Sequence, residues 1–238
     1  MGAVTIATGV LGPSMIFELC AESMEACLAA QEGGADRIEL CTALKMEGLT
    51  PSHALIEQAV TSCRIPVHVM VRPHAAGFQY DASAFSTMRE EIQYIRSIGA
   101  AGVVLGVLLA DKKVDIEHTH ALVKLADPLE VTFHRAFDAT PDLERALEDV
   151  IAAGCHRVLT SGGAADVVAG SARLARLVEC AADRIAVAVG GGLRLSNARQ
   201  VAGRTRAHHF HGSLPLEDSA PDSLAERVRT ITRILREE

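Results

Sequence analysis

The chain has 238 residues, of which 49% are hydrophobic and 3% aromatic, and its formal net charge is -7. This length suits one domain of about 250 residues with a single large core. A mild negative charge without a Lys/Arg run argues against nucleic acid or an anionic membrane as a partner and favours a small-molecule or metal ligand. No apolar stretch approaches the roughly 20 residues of a membrane span.

The organisation of the chain predicts one folded domain in a reducing compartment. Residues 1–15 form a predicted extension before the first strand, because they are mildly apolar but lack the basic region of a signal peptide. Residues 16–238 show no linker or shift in composition, so we expect one barrel domain there. The six cysteines form no CxxC pattern and no dense framework. They therefore indicate free thiols and a cytoplasmic location.

A recurring unit predicts the fold. A helix rich in Ala and Leu, a stop containing Gly and a short β-branched run follow one another in AAQEGGADRIELC, YIRSIGAAGVVLGVL, DVIAAGCHRVLTSG and ARQVAGRTRAHHFHGS. Glycine just after a helix is the expected left-handed cap, and a short turn then leads into the next strand. Eight such runs are candidate strands: 16–20, 37–41, 67–72, 102–108, 129–135, 157–161, 185–190 and 207–212.

Helix start signals follow these strands, at Thr50-Pro51, Thr140-Pro141, Ser23, Asp115 and Ser196. Eight strands alternating with helices predict a parallel sheet, and eight is the number at which such a sheet closes. The predicted fold is therefore α/β, a single-domain (β/α)8 TIM barrel. An open doubly wound sheet is the alternative, but no GxGxxG turn follows the first strand.

The first two strands share a pattern of polar residues, Phe-Glu-Leu-Cys at 17–20 and Ile-Glu-Leu-Cys at 38–41. Residues two apart share a face, so Glu18 with Cys20 and Glu39 with Cys41 are expected to face the barrel axis. Neighbouring strands lie about 4.8 Å apart, which lets the two sulfurs meet across one ion. Two soft thiolates favour Cu(I), whereas zinc normally takes four ligands. The alternative is that both cysteines pack as small hydrophobic residues.

Other strands also place ionisable residues inside or at the carboxyl-terminal rim, where barrel active sites lie. They are His68, Arg72, His134, Arg135, Asp138, His209 and His211. Burying such groups costs several kcal/mol unless they are paired. The set therefore predicts either a functional site or a structural web of ion pairs, for instance Glu18 or Glu39 against Arg72 or Arg135.

Three loops at the carboxyl ends of strands resemble anion cradles: Thr160-Ser161-Gly162-Gly163, Gly190-Gly191-Gly192 and Gly212-Ser213. Loops after strands seven and eight of barrels often bind phosphate through backbone N–H groups. Glycine permits that close approach, although it also simply turns the chain.

Together these segments resemble the CutC family of copper-homeostasis proteins, through FELC, IELC followed by GLTPS, IPVHVMVRP, VTFHRAFD and RVLTSG. The resemblance runs from about Phe17 to Ser213 and implies a cytosolic, oligomeric barrel that handles copper. It implies Cu(I) ligation by Cys20 and Cys41. It also matches polar positions at Glu18, Glu39, His68, Arg72, His134, Arg135, Asp138, Ser161 and His211. The sequence departs from the family pattern at 74–78, at Leu109 and in a short segment after the eighth strand.

Two functional hypotheses follow. The first, favoured by the resemblance, is a homo-oligomeric copper-homeostasis protein that binds Cu(I) at Cys20 and Cys41. The second is an isomerase, epimerase or lyase, metal-independent or metal-assisted, acting on a small polyhydroxylated or phosphorylated substrate, with Glu39 or His134 as the base. Its predicted catalytic residues are Glu39, His134, Arg72 and Asp138, and its predicted substrate-binding residues are Glu18, His68, Arg135, Ser161, Gly190, Gly192, His211 and Ser213.

Overall fold

A computed structural model describes residues 15–216 and 223–237. In these ranges eight parallel strands pair in chain order, and the eighth pairs with the first to close a barrel. The strands are β1 Ile16–Ala21, β2 Arg37–Leu40, β3 Val67–Met70, β4 Gly102–Leu105, β5 Glu130–Phe133, β6 Arg157–Thr160, β7 Ala186–Gly190 and β8 His209–Gly212. The predicted TIM barrel is confirmed.

Eight α-helices surround the strands in the described ranges. They are α1 Met24–Gly33, α2 His53–Ser62, α3 Ala82–Ser97, α4 Ile116–Ala126, α5 Leu143–Ala152, α6 Ser171–Ala181, α7 Ala198–Thr205 and α8 Leu224–Arg236. None of these helices is long and apolar enough to cross a membrane. Apart from Met15, the predicted extension 1–15 lies outside the described residues.

Several strands end earlier than predicted, because the chain turns into the loops of the barrel mouth. β3 stops at Met70 and β4 at Leu105, and β5 stops at Phe133 because a short 3₁₀ turn, Arg135–Ala139, follows almost at once. The polar residues after these strands therefore lie on loops that cover the carboxyl-terminal end of the barrel.

Two of the predicted helix caps are confirmed. The Oγ of Ser23 accepts the backbone N–H of Ala26, and the Oδ1 of Asp115 accepts that of His118. The predicted cap at Ser196 is wrong, because α7 follows Asn197.

The predicted starts at Thr50-Pro51 and Thr140-Pro141 are also wrong, each by two residues. Helix α2 is capped by Ser52 and α5 by Asp142. The two threonines are engaged elsewhere: the Oγ1 of Thr50 accepts the backbone N–H of Arg72, and the Oγ1 of Thr140 donates to the carbonyl of Phe137.

The core has two layers, one on each face of the strands. The larger layer lies between strands and helices and contains Phe17, Leu19, Ile38 and Leu40. A smaller cluster lies inside the barrel: Cys20, Cys41, Met70 and Val104. The alternation read from the first two strands therefore gives the correct inward and outward faces.

Candidate functional site

A cavity of about 160 Å³ opens at the carboxyl ends of the strands. Seven predicted site residues line it: Cys20, Glu39, His134, Arg135, Gly192, His211 and Ser213. Apolar side chains complete the wall, among them Phe78, Met70 and Leu159. This mouth cavity is where active sites of such barrels normally lie.

The cysteine pair lies at the bottom of the cavity. The sulfurs of Cys20 and Cys41 are 3.4 Å apart, and the Cys20 thiol also donates to the Oε1 of Glu39 at 3.5 Å. Cys20 lines the cavity, whereas Cys41 is fully buried behind it, with Gly48 of the next loop above its sulfur. Both are free cysteines. The hydrogen bond with Cys41, burial and the Glu39 carboxylate raise the pKa of Cys20 well above its usual value, so Cys20 is a thiol at neutral pH.

His211 lies beside the cysteine pair, and Glu18 fixes the orientation of its ring. Its Nδ1 lies 2.8 Å from the Oε1 of Glu18, and its Nε2 lies 3.9 Å from the Oε1 of Glu39. Burial lowers the pKa of His211, but the carboxylates of Glu39 and Glu18 outweigh it and the net pKa is raised. Ligand atoms of Cys20, Glu39 and His211 all lie within 4.8 Å of one another. Thiolate, carboxylate and an imidazole held by a carboxylate form a donor set that can hold a metal ion.

Glu39 has spare acceptor capacity. Its Oε2 is buried and has no hydrogen-bond partner among the described residues. Burial raises the pKa of Glu39, partly offset by the nearby His211. This carboxyl group is therefore available to a ligand in the cavity.

His134 has a fixed tautomer. Its Nδ1 accepts the backbone N–H of Ala136 at 3.1 Å, so the ring proton sits on Nε2. That Nε2 is buried without a partner in the part of the chain that the structure describes, and the residue is 3% exposed. Burial and the charge of Arg72 lower the pKa of His134 to about 3. The ring therefore offers the cavity a neutral N–H donor, which does not fit the base role suggested by the sequence.

Glycines make room for three buried histidine rings. A Cβ on Gly106 would lie 2.6 Å from the ring of His134, and one on Gly102 would lie 2.5 Å from the ring of His68. A Cβ on Gly190 would lie 2.9 Å from the Cβ of His211. Such distances exclude any larger residue without displacement of its neighbours, so Gly190 makes room for both Leu159 and His211.

A second group of polar residues lies deeper, toward the amino ends of the strands; we call Glu18, Arg37, His68, Thr132 and Arg157 the lower cluster. Arg157 makes a very short ion pair with Glu18 and donates to the Oγ1 of Thr132 at 3.0 Å. Arg37 lies 4.0 Å from Glu18. The predicted web is therefore real, but its arginines are Arg157 and Arg37.

Charge balance in the lower cluster explains the ionisation of its members. Burial raises the pKa of Glu18, but Arg157 and His211 together outweigh it and hold the pKa well below its usual value. Burial and then Arg157 lower the pKa of His68 to about 3. Glu18 and His68, both predicted to bind substrate, are thus buried below the cavity, where Glu18 pairs with Arg157 and the Nε2 of His68 lies 3.6 Å from Glu130.

Sequence reasoning missed Arg157. The alternation along β6 places Val158 in the outer core and Arg157 on the inner face. The sequence did contain a signal for this pairing. Arg157 falls on the inner face of its strand, and a buried carboxylate such as that of Glu18 needs a cation.

The predicted cradle at 160–163 is filled by the protein itself. Asp138 accepts the backbone N–H groups of Ser161 and Gly163 at 3.0 and 2.9 Å, and the Nε of Arg135 lies 2.9 Å from its Oδ2. The Ser161 hydroxyl also donates to Asp138, at 3.0 Å. Asp138 and Ser161, predicted as catalytic and substrate-binding, thus hold two rim loops together beside the cavity.

Arg72, predicted as catalytic, instead stabilises a loop. Its Nη1 donates to the carbonyls of Met46 and Gly48 at 2.6 and 2.9 Å, and its guanidinium lies 4.9 Å from the ring centre of Phe78. Arg72 is buried behind the cavity wall and fixes the loop that covers Cys41.

Most of the chain is similar in sequence to known proteins. The model of the CutC family matches residues 15–215. The chain belongs to the CutC family. A CutC family protein of Chromobacterium violaceum is 47% identical over 198 residues, which is 83% of this chain and 80% of the relative. One of Caulobacter vibrioides is 41% identical over 211 residues, 88% of this chain and 86% of the relative.

A solved structure extends the family comparison. The crystal structure of a Streptococcus agalactiae protein, provisionally named copper homeostasis protein CutC, matches with a TM-score of 0.80 and 29% sequence identity. The match covers 84% of this CutC family chain and 99% of the other. The resemblance read from the sequence is confirmed at the level of family and fold.

Proposed function

We propose that this CutC family member binds Cu(I) through Cys20 and Cys41. The observation that carries the proposal is the 3.4 Å separation of their sulfurs inside the barrel, with Cys20 on the cavity wall. Soft sulfur ligands favour Cu(I) over hard cations. The name of the Streptococcus agalactiae relative points to the same metal.

His211 is the proposed third ligand. Glu18 holds its Nδ1, and its Nε2 faces the side of Glu39 and Cys20. A carboxylate behind a metal-binding imidazole fixes its orientation and raises its basicity. Because Cys20 is protonated in the metal-free protein, binding releases protons and weakens as the pH falls.

The test is an anaerobic Cu(I) titration of the full-length reduced chain against a competing chelator. We expect about one Cu(I) per chain, because two thiolates hold one ion. The C20S/C41S double variant should lose this binding, and His211→Gln should weaken it. The matched control is C63S/C180S, which removes two half-buried cysteines outside the site and should change nothing. Equal uptake by C20S/C41S would disprove the proposal.

Enzymatic activity is the second candidate, and one observation favours it. The Oε2 of Glu39 and the Nε2 of His134 are both buried, lack partners among the described residues, and belong to side chains lining one cavity. In an isomerase, epimerase or lyase, Glu39 would move a proton at a substrate carbon while His134 hydrogen-bonds the adjoining oxygen.

A metabolite screen for turnover tests this candidate. We expect Glu39→Gln and His134→Phe to abolish turnover while the protein remains folded. Arg64→Gln, at the opposite end of the barrel, is the control. Turnover that survives both cavity substitutions would exclude these residues as the machinery.

A further inference from the structure

We infer that the mouth cavity binds a small organic oxyanion, a carboxylate or a phosphate ester, between the Nε2–H of His134, Arg135 and the loop 191–194. The inference rests on the same cavity as the second candidate function and names its ligand class, but anion binding needs neither copper nor turnover and can therefore fail or succeed independently of both proposals. It assigns to His134 the task of a hydrogen-bond donor to the bound ligand.

The first argument is the unpartnered donor. His134 is 3% exposed, and its Nε2–H has no acceptor among the described side chains and backbone groups. Its Nδ1 is held by the backbone N–H of Ala136, and its ring fits against Gly106, so the donor cannot turn to another acceptor. Leaving a buried N–H without an acceptor destabilises the folded protein. An oxygen atom of a ligand would satisfy it.

The second argument is the positive rim beside this donor. Arg135 and Arg194 line the same cavity, on the loops after β5 and β7, and Arg135 keeps its ion pair with Asp138, which does not line the cavity. A Cβ on Gly191 would lie 3.2 Å from the guanidinium carbon of Arg135. Because glycine has no Cβ, the guanidinium group packs directly against this loop. Gly191 and Gly192 have φ values of 102° and 79°, a backbone that glycine adopts without strain.

The neighbouring loop shows that this rim holds carboxylates. After β6, the backbone N–H groups of Ser161 and Gly163 bind the carboxylate of Asp138. Asp166, later in this loop, packs its Cβ against Gly192 of the loop after β7, while its Oδ1 accepts the N–H groups of Val168 and Ala169 in its own loop. Residues 191–194 line the cavity, so an anion bound there lies directly beside this loop.

The remaining charges orient the ligand. Glu39 and Glu47 line the β2 side of the cavity, across the barrel from β5 and β7. An oxyanion is repelled from that side and attracted to Arg135 and Arg194. A hydroxyl or carbonyl on the same ligand would then point toward Glu39. The volume of about 160 Å³ limits the ligand to a few carbon atoms.

The test is calorimetric titration of the reduced, copper-free full-length chain with inorganic phosphate and, separately, with malonate, at constant ionic strength. We expect saturable binding of one anion per chain for at least one probe. Phosphate binding alone identifies a phosphate subsite, and malonate binding alone a carboxylate subsite. Arg194→Gln and His134→Phe should each weaken binding at least tenfold, whereas Arg64→Gln and C63S/C180S should not.

A second measurement keeps the inference testable if His134→Phe folds poorly. In ¹⁵N-histidine NMR of the unaltered chain, His134 should appear as the Nε2–H tautomer, and its signal should shift on titration with the bound probe. An Nδ1–H tautomer, absence of saturable binding by either probe, or binding insensitive to Arg194→Gln would overturn the inference.

Discussion

The barrel interior contains two polar regions, which differ in how their buried carboxyl groups are compensated. In the lower cluster, the carboxylate of Glu18 is paired with Arg157, and Arg157 also donates to Thr132. At the mouth, Glu39 and His134 are equally buried but each leaves a polar atom without a partner among the described residues. Nitrogens without a hydrogen-bond partner in the described part of the chain also occur on Arg37 and His68 of the lower cluster, so the carboxylates distinguish the two regions: Glu18 is paired with an arginine, whereas the Oε2 of Glu39 is left for a ligand.

The two regions are connected by one residue. His211 reaches the mouth cavity with one edge of its ring, while its Nδ1 contacts Glu18 of the lower cluster. The lower cluster thus has a structural role that also serves the site, because it fixes the ring that faces Cys20 and Glu39. Two substitutions and a change of pH distinguish the structural role of the lower cluster from ligand binding at the mouth.

The largest expected effect comes from Glu18→Gln. The substitution leaves Arg157 as a buried charge without its counter-ion, and breaking a buried pair costs about 3–5 kcal/mol. We expect the free energy of unfolding, measured by urea denaturation at pH 7, to fall by that amount. An unchanged stability would show that the lower cluster is not closed by this pair.

An intermediate effect comes from pH, because each region holds a neutral histidine. The pKa values of His68 and His134 are lowered to about 3, so below about pH 6.5 the unfolded chain binds protons that the folded chain does not. Stability should therefore fall as the pH drops from 6.5 to 5, by up to about 1.4 kcal/mol per pH unit for each histidine.

Two other groups act outside this window. His211, with its raised pKa, contributes stability that is complete below about pH 6.5 and is lost as the pH rises through its folded pKa. Glu18, with its lowered pKa, loses its contribution only below about pH 4.3. Urea denaturation at pH 6.5, 6 and 5 should show a shallower loss in His134→Phe. An identical slope in that variant would mean that the folded protein accepts a proton at His134.

The smallest expected effect is the most informative for the comparison. Glu39→Gln makes the same chemical change as Glu18→Gln, but at a carboxyl group whose pKa burial raises and whose ionic partner, His211, is no closer than 3.9 Å. We expect the stability at pH 7 to change by less than about 1 kcal/mol, or to rise, because the variant buries no charge. A loss as large as that of Glu18→Gln would make both regions structural.

Much of the barrel and part of the site could be predicted from local sequence. The eight strands were found because each helix, glycine stop and β-branched run is contained in about twenty residues. The inward faces of Glu18, Cys20, Glu39 and Cys41 follow from strand alternation, which has a fixed period of two. Helix starts were less secure, because Thr50 and Thr140 bond to neighbouring loops instead of to their helices.

By itself, the sequence determined the order of strands and helices and the inward residues of the first two strands, since alternation depends only on local order along the chain. Only the tertiary structure decided which inward groups are satisfied. Glu18 meets Arg157 from 139 residues away, and Asp138 fills the loop that resembled a vacant cradle. The proton position on His134 depends on one backbone N–H in the turn after β5. Such partners are set by barrel closure and by loop geometry, which bring together groups that no local pattern relates.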